Sequence, residues 1–579
     1  LGLKVGPGIA EEDGDAHGDC SLYSKDYGKA SPFGPTAHFP PVPGICRIQR
    51  MFVPLTPLRC LERALDLFPR KTGVICGGRA FTFAEFGARA QRLASGLLKL
   101  GVRPGDRLAF LSFNTHKLLE SYYGVVQARA IVMPINVRLS PEEIAVILRH
   151  SGARYLFFEP EFAPLVAALR AGCPEVERYI ALSDEPGPGD LVYEEIVESG
   201  EAEPADIFSY DENSIAELFY TSGSTGSPKG VALTHRTLYL HALGLMNLVR
   251  DPDNTVDLHT IPLFHANGWG RPQAATLLGF KQVMVRRFEP AAVFGLIEEH
   301  RATDMCLVPV MANMLLNAPE LGRHDLSSLK VIAIGGAAAS PELIARLERA
   351  FGCEVRSGYG LTETAPVLTM SRAKSTTAWK DEEDRVRRMA MAGWPMPGTR
   401  VRVVDLHGND VPRDMQTMGE VVAQGDNVME GYYREPEATA AVIEDRWFHT
   451  GDMAVWDEEG WIHIVDRRKE IIISGGENIS SIEVEKAIFA HDAVLECAVV
   501  AAPDAQWGEV PAALIVVKEG RSLNREELLE FLGGRLGRFK HPRVIEFLEE
   551  PLPKTGTGKI RKNILKQRYW AGKEKRIQG

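Results

Sequence analysis

The chain has 579 residues, 45% of them hydrophobic, which is enough for two to four structural units with large buried cores. Its formal net charge of −11 argues against a nucleic-acid-binding protein. The eight cysteines include no C-x-x-C pair, which argues against a zinc site or a disulfide framework and favours a cytoplasmic location. The sequence contains no apolar run of about 18 residues, so we expect no integral membrane segment.

The first half of the chain alternates between helix-like and strand-like segments. Residues 1–50 are rich in glycine and proline, and we expect a partly disordered N-terminal extension. From about residue 55 to about 212 the alternation is typical of a largely parallel sheet covered on both faces. Helices are predicted at 57–68, from the Thr82 cap signal to about 100, at 115–127 and at 141–150, with strands at 107–113, 131–135 and 155–159.

Residues 221–230, TSGSTGSPKG, directly follow a strand-like run at 215–220. Glycines allow close approach of the backbone, and the free N–H groups of such a loop can surround an anion. Lys229 adds a mobile positive charge. We interpret the segment as a polyphosphate loop, with a flexible Ser/Gly linker as the alternative. The spacing of its glycines and lysine does not fit a Walker motif, and a helix is predicted to follow at 233–248.

Two further strands are predicted to end in unusual groups of residues. A strand at 260–264 leads into HANGW at 265–269, for which a packed aromatic ring and a satisfied core histidine are the alternative to a binding role. A strand at 331–336 ends in two glycines followed by alanines, and such small residues let a flat group lie against the backbone.

The highly charged segment 371–392 is predicted to be a solvated helix without a function.

The segment 357–364, SGYGLTET, places an aromatic ring between glycines, close to a hydroxyl and a carboxylate. Tyr359 can stack on a purine, and Glu363 can hold a hard divalent cation. The alternative is a surface turn that carries a chance acid.

The last part of the chain changes character. Turn signals at 401–431 predict a small β region, and the charge cluster at 466–470 marks a candidate domain boundary. We therefore predict a large domain at 51–466 and a small α+β domain at 467–579. The small domain is predicted to have helices at 481–490 and 525–536 and strands at 495–501 and 512–517. Near its end Lys559 stands on a glycine-rich turn, although lysines on loops are usually only solvated.

Six segments resemble, in the same order, motifs of the adenylate-forming superfamily, which includes acyl-CoA synthetases, peptide-synthetase adenylation domains and luciferases. They are TSGSTGSPKG, HANGW, SGYGLTET, WFHTGD at 447–452, DRRKE at 466–470 and PKTGTGK at 553–559. The resemblance extends over about residues 55–570. It implies an α/β fold with a large N-terminal domain of stacked, mostly parallel sheets and a small β region, followed by a small mobile α+β C-terminal domain.

The resemblance also implies a role for each matched residue. Catalysis would involve Lys559, Glu363, Lys229 and His265. ATP would be bound by Thr221, Ser222, Gly223, Ser224, Thr225, Gly226, Lys229, Gly336, Ala337, Ser357, Gly358, Tyr359, Gly360, Thr362, Asp452 and Arg467. The acid would contact His265, Asn267, Gly268, Trp269 and Gly335, with Trp269 lining or gating an acyl tunnel. Coenzyme A would contact Gly475, Gly476 and Glu477, the hinge would be Lys469, and Mg²⁺ would bind Glu363 and Thr225.

The activity implied has two steps. A carboxylic acid and ATP give acyl-AMP and pyrophosphate, and the thiol of coenzyme A then displaces AMP. Catalysis would rest on positioning and charge neutralisation, with the small domain turning between the steps. We predict an acyl-CoA synthetase of fatty acid metabolism for a medium- or long-chain acid, and a homodimer is compatible with the resemblance. The alternatives are a ligase for a short, thioether or aromatic acid, a ligase that loads a carrier protein, a luciferase-like oxygenase and a non-catalytic binding homologue.

Overall fold

The computed structural model describes residues 52–221, 228–249, 251–474, 477–504, 506–533, 535–554 and 560–571. Residues 53–579 form one compact unit, and residues 1–52 form another, of which only Phe52 is described. The predicted N-terminal extension therefore lies outside the described residues. In the part of the chain that is described, no helix combines the length and the apolar character needed to cross a membrane.

The strands, in chain order, are β1 (Thr72–Cys76), β2 (Arg79–Thr82), β3 (Arg107–Leu111), β4 (Ile131–Pro134), β5 (Tyr155–Phe158), β6 (Arg178–Ala181), β7 (Leu191–Val192), β8 (Ile215–Thr221), β9 (Lys229–Thr234), β10 (Val256–His259), β11 (Lys281–Met284), β12 (Asp304–Leu307), β13 (Val331–Ile334), β14 (Glu354–Gly360), β15 (Val367–Met370), β16 (Trp394–Pro395), β17 (Thr399–Val404), β18 (Gly419–Gly425), β19 (Gly431–Tyr432), β20 (Ile443–Glu444), β21 (Trp447–Trp456), β22 (Ile462–Arg467), β23 (Ile472–Ser474), β24 (Glu477–Ile479), β25 (Val494–Asp504), β26 (Gly508–Val517) and β27 (Val544–Leu548).

The helices are α1 (Leu58–Leu67), α2 (Phe83–Lys99), α3 (His116–Gln127), α4 (Pro141–Ser151), α5 (Ala163–Arg170), α6 (Tyr193–Ser199), α7 (His235–Leu245), α8 (Ala266–Leu278), α9 (Pro290–His300), α10 (Pro309–Leu316), α11 (Pro341–Phe351), α12 (Glu382–Met389), α13 (Pro436–Ala440), α14 (Ser481–Phe489), α15 (Arg525–Leu532) and α16 (Lys562–Trp570).

The large N-terminal domain is built on two extended, mostly parallel sheets. One has the order β19-β9-β8-β4-β3-β5-β6-β7 and the other the order β16-β15-β14-β13-β12-β10-β11-β1-β2. The interior strands β4 and β5 are fully buried apolar runs, as expected for parallel strands covered on both faces. Side-chain caps define the starts of several helices, as in the capping box between Thr82 and Glu85 at α2. The predicted fold class is confirmed here.

Two smaller sheets complete the molecule. The strands β17, β18, β21 and β20, with β22 beside β21, form the small β region. In the smaller C-terminal domain, β24, β23, β26 and β25 form a sheet with β27 beside β26. Successive residues of β25 enter opposite cores, since Val499 packs with α14 and α15 whereas Val500 packs with α16. The predicted α14 and α15 are present, and α16 was not predicted.

The helix predicted at 233–248 is wrong at its start. After the predicted phosphate loop the chain returns as β9, antiparallel to β8, and α7 begins only at His235. Val231 and Leu233 are buried in the sheet, and the hydroxyl of Thr234 accepts a hydrogen bond from the backbone N–H of Thr237 at 3.1 Å. The segment is therefore a β-hairpin followed by a helix.

The strand predicted at 260–264 is also wrong. The strand of this region is β10, which ends at His259, and α8 begins at Ala266. Pro262 has no N–H to donate to a sheet, so it does not favour continuation of the strand. The segment 265–269 thus opens a helix instead of ending a strand.

The charged segment 371–392 is helical only over α12, and that helix is not uniformly solvated. Arg388 is buried, with its guanidinium carbon 5.4 Å and 4.8 Å from the ring centres of Trp379 and Trp461. It also pairs with Asp457 at 3.2 Å and Glu459 at 3.0 Å. A charged side chain can be buried here because aromatic faces and carboxylates surround it.

Candidate active site

The hairpin of β8 and β9 holds Thr221 and Lys229 opposite each other at its open end. The predicted phosphate-binding residues between them, Ser222, Gly223, Ser224, Thr225 and Gly226, lie outside the described residues. The Nζ atom of Lys229 is 4.7 Å from the centre of the Tyr432 ring, a cation–π contact. The lysine is therefore held at the base of the predicted loop.

Tyr432 connects this lysine to Glu363. Its hydroxyl donates a hydrogen bond to Oε1 of Glu363 at 2.9 Å. Strand β19 places the tyrosine there, because Tyr432 pairs with Val231 of β9. Burial raises the pKa of Glu363 above its ordinary value, and the bond from Tyr432 works against that rise. Tyr432 was not among the predicted site residues, and its only sequence signal was a Gly-Tyr-Tyr at the end of a predicted β region.

A second cluster surrounds Asp452, whose side chain is almost completely buried. The Tyr359 hydroxyl donates to its Oδ2 at 2.6 Å, and Nε of Arg467 lies 2.6 Å from its Oδ1. Asp452 and Arg467 are cross-strand neighbours on β21 and β22. Burial raises the pKa of Tyr359 well above its ordinary value, so this phenol stays protonated and remains a donor. Three residues predicted to bind the nucleotide are thus brought together.

Glycine is required at two predicted positions for geometric reasons. A Cβ atom at Gly360 would overlap the carbonyl oxygen of Pro366, so only glycine fits there. Gly336 has a φ of +76°, in the left-handed region that favours glycine. Gly358 has more room, because a Cβ there would meet only the flexible end of Met370.

The other predicted residues of this region occupy the carboxyl ends of β13 and β14. The backbone N–H of Gly335 donates to the carbonyl of Leu307 at 3.0 Å, and Ala337 is exposed. Thr362 is half-buried in a short 3₁₀ turn with Glu363. The backbone N–H of Ser357 donates to the Ser371 hydroxyl at 2.7 Å. The buried hydroxyl of Ser357 itself has no hydrogen-bond partner within the described ranges.

The N-terminal half of α8 packs against the segment that follows Glu363. His265 occupies the N-cap position of this helix. A Cβ atom at Gly268 would overlap the carbonyl of Pro262, and one at Gly270 would overlap the ring of Pro366. The predicted acid-binding segment and the SGYGLTET segment therefore approach each other closely. The side chains of the predicted contacts Asn267 and Trp269 lie outside the described residues.

The predicted hinge follows directly after β22. Lys469 is exposed, whereas the preceding Asp466 is buried. Oδ2 of Asp466 accepts hydrogen bonds from the backbone N–H of Ser481 at 2.6 Å and from its hydroxyl at 2.8 Å, at the start of α14.

Three of the predicted positions near the C-terminal domain fall outside the described residues. They are Gly475 and Gly476, predicted to contact coenzyme A, and the predicted catalytic Lys559. Glu477, the third predicted coenzyme A contact, is an exposed residue at the start of β24.

Comparison with known proteins identifies the family. Residues 61–433 match the family model described as "AMP-binding enzyme", and residues 483–559 match the one described as "AMP-binding enzyme C-terminal domain". The chain is 41% identical over 521 residues to a long-chain-fatty-acid–CoA ligase of Thermus thermophilus, covering 88% of this chain and 94% of that protein. It is 39% identical over 513 residues to a feruloyl-CoA synthase of an Amycolatopsis species, covering 88% and 98%.

Solved structures agree with this assignment. ATP-bound MatB from Rhodopseudomonas palustris superposes with a TM-score of 0.79 at 27% identity, covering 89% of this chain and 99% of that one. The chain therefore belongs to the AMP-binding enzymes, the adenylate-forming superfamily that its motifs resemble, and it is an acid–thiol ligase of the acyl-CoA synthetase type.

Proposed function

We propose that this ligase converts a medium- or long-chain fatty acid into its coenzyme A thioester by way of an acyl-AMP intermediate, in the cytoplasm. The observation that carries the proposal is that two groups of contacting side chains meet at one short segment, residues 359–363. Tyr359 contacts Asp452 and Arg467, and Glu363, four residues later, is joined through Tyr432 to Lys229. The spacing suits a nucleotide whose ribose lies at the first cluster and whose phosphates lie at the second.

In the proposed site Asp452 holds the ribose. Each carboxylate oxygen has room for about two hydrogen bonds. In the proposed binding mode the ribose hydroxyls donate to this carboxylate beside Tyr359 and Arg467. The two protein donors hold the carboxylate in a fixed orientation before ATP arrives.

At the phosphate end, Lys229 supplies positive charge. Its ammonium group lies over the Tyr432 ring and forms no ion pair with any residue that the structure describes, so it can reach a phosphate without breaking such a contact. Glu363 fits a divalent cation, because it is a half-buried carboxylate whose pKa is raised by burial. Magnesium, when bound, supplies positive charge to the phosphates, and Thr225 is the other predicted ligand.

We assign the movement between the two steps to residues 467–579. Lys559 would neutralise charge where the carboxylate meets the α-phosphate, and His265 would lie near that carboxylate. Turning about the exposed Lys469 would then withdraw Lys559 and admit the thiol of coenzyme A past Glu477.

The acid itself has two candidate classes. The Thermus relative, named a long-chain-fatty-acid–CoA ligase, supports a fatty acid. The Amycolatopsis relative, named a feruloyl-CoA synthase, supports an aromatic or other polar acid, which is the second candidate. A pyrophosphate-release screen over straight-chain acids of graded length, with benzoate and ferulate beside them and with or without coenzyme A, decides between the two. A maximum at medium or long chains supports the proposal, and a maximum on the aromatic acids replaces it.

A further inference from the structure

The nine-stranded sheet has two unlike faces along β12, β13 and β14. On one face Met305, Ile332 and Val355 are fully buried in the core formed with α9, α10 and α11. On the other face Val331 and Ala333 remain half-buried, although β13 is an interior strand. The described elements therefore leave an incompletely covered strip on this face, which we call the strand groove.

The strand groove leads away from the predicted acid-binding site. Ala333 is two residues before Gly335, the glycine predicted to contact the acid. At the other end, register places Asp304, Val331 and Glu354 side by side in one row. Val331 and Gly335 are four positions apart along the chain, a distance of about 13 Å at roughly 3.3 Å per residue. A medium-length acid held at Gly335 would bring its far end to this row.

The far row of the groove is charged. Arg271 of α8 lies with its Nε 2.6 Å from Oδ2 of Asp257 and its Nη2 3.4 Å from Oδ1 of Asp304. Arg356 donates two hydrogen bonds to Glu354, at 2.7 Å and 2.8 Å. The side chains of Arg271, Asp304 and Glu354 are 23%, 16% and 28% exposed, so they border open space while Asp257 does not.

This cluster has more capacity to accept hydrogen bonds than to donate them. Its three carboxylates and two guanidiniums give a formal net charge of −1. Oδ2 of Asp304 accepts a hydrogen bond from the Thr303 hydroxyl at 2.7 Å, whereas its Oδ1 has only the long contact with Arg271. Oδ1 of the buried Asp257 has no hydrogen-bond partner among the described residues. Burial raises the pKa of Asp304, opposed by Arg271, so a further donor would stabilise its carboxylate.

We propose that the far end of the strand groove binds a hydroxyl group at the distal end of the acid, with Asp304 as the acceptor. The inference rests on the proposed function, because it assumes that the acid lies along β13 from Gly335. It narrows the substrate class to medium-chain acids with a distal hydrogen-bond donor. The negative cluster would disfavour a second carboxylate at the same position.

The test compares matched pairs of acids on the same enzyme sample. Acid-dependent pyrophosphate release is measured for straight-chain acids of six to twelve carbons, for their ω-hydroxy counterparts and for the dicarboxylic acids of the same length. The ratio of kcat/KM for the hydroxy acid to that for the plain acid does not depend on the fraction of folded enzyme. The variants are Asp304→Val, the milder Asp304→Asn, and Asp325→Val, which removes a carboxylate from the exposed pair with Arg301.

We expect the ω-hydroxy acid to exceed the plain acid by at least about tenfold at one or more lengths, the effect of a hydrogen bond to a charged group. The ratio should fall to about one in Asp304→Val, fall partly in Asp304→Asn, and remain unchanged in Asp325→Val. Equal rates for both acids at every length, a preference for the dicarboxylate, or an unchanged ratio in Asp304→Val would overturn the inference while leaving the ligase assignment intact. Release of pyrophosphate with none of the acids would instead overturn the proposed function and the inference with it.

Discussion

At the scale of single residues, Asp452 is the most constrained group of the candidate site. A carboxylate with almost no exposure is costly unless donors surround it. Tyr359 and Arg467 provide those donors, one on each oxygen. The carboxylate of Asp452 is therefore fixed in orientation before any ligand binds. Short, charge-assisted hydrogen bonds stabilise its negative charge.

Removing one of these donors should weaken ATP binding. In Tyr359→Phe the carboxylate loses its partner on Oδ2 but keeps Arg467. We expect the KM for ATP in pyrophosphate exchange to rise by about 5- to 30-fold, which corresponds to about 1–2 kcal/mol. Tyr179→Phe is the control, because the buried Tyr179 hydroxyl has no hydrogen-bond partner within the described residues. An unchanged KM in Tyr359→Phe would show that Asp452 does not depend on this phenol.

Glu217 offers a residue-scale prediction about stability. It is fully buried on β8, where Gln273 donates to its Oε1 at 2.8 Å, and burial raises its pKa well above the ordinary 4.5. Between pH 4.5 and the folded-state pKa the native protein holds a proton that the unfolded chain has lost. Stability should therefore fall as pH rises through this window, by up to about 1.4 kcal/mol per pH unit.

The variant Glu217→Gln removes this titration. We expect the decrease in Tm between pH 5 and pH 8 to be smaller in Glu217→Gln than in the parent protein. Glu444→Gln, at an exposed position, serves as the control and should keep the parent's pH dependence. If Glu217→Gln and the parent lose the same Tm over this interval, the carboxyl group is not protonated in the native state.

At the scale of elements, α8 connects the proposed acid site with the proposed nucleotide site. His265 lies at its N-terminus. In its second turn, Gly270 packs against Pro366 and Arg271 lies at the far end of the strand groove. The helix thus contacts the segment that follows SGYGLTET on one side and the nine-stranded sheet on another. Any displacement of α8 changes both the start and the far end of the proposed acid site.

A single methyl group should be enough to displace this helix. In Gly270→Ala the added Cβ overlaps the ring of Pro366, and overpacking of this kind costs about 1–3 kcal/mol of stability. We expect Tm to fall and the kcat/KM for the acid to drop by more than about tenfold, because small misplacements in an active site are costly. The control is Gly295→Ala in α9, where a Cβ has open space and should be neutral or stabilising. Equal behaviour of the two variants would contradict the close packing of α8.

At the scale of the whole molecule, the proposed two-step reaction depends on a small domain that serves both half-reactions. The C-terminal domain has its own cores on both faces of its sheet, and α16 is tied to α14 by Lys562, whose Nζ lies 2.8 Å from Glu485. This internal packing supports our proposal that the domain turns as one body about Lys469. A lysine needed only in the first step would be withdrawn by that movement.

The variant Lys559→Ala tests whether this lysine serves only the first half-reaction. We expect it to abolish acyl-AMP formation while it leaves thioester formation from supplied acyl-AMP within a fewfold of the parent enzyme. Lys554→Ala is the control on the same segment, since Lys554 pairs with Glu496 and has no proposed role. Equal loss of both half-reactions in Lys559→Ala would contradict the division of labour.

Much of this molecule could be predicted because its signals are local. Alternating apolar runs and cap residues placed α2, α3 and α4 within a few residues of their observed bounds. The β9 hairpin and the start of α8 were missed, because short apolar segments do not distinguish strand from helix until pairing decides. Tyr432 and Arg271 were missed for a related reason. Their partners lie far away in sequence, so only tertiary structure brings them together.

The most direct test of the proposed reaction follows the nucleotide products. The enzyme is incubated with a medium-chain acid and ATP, first without and then with coenzyme A, and the products are separated by mass spectrometry. The proposed reaction predicts acyl-AMP and pyrophosphate without coenzyme A, and acyl-CoA and AMP once coenzyme A is added. Formation of ADP and phosphate, or acyl-CoA formed without an acyl-AMP intermediate, would contradict it.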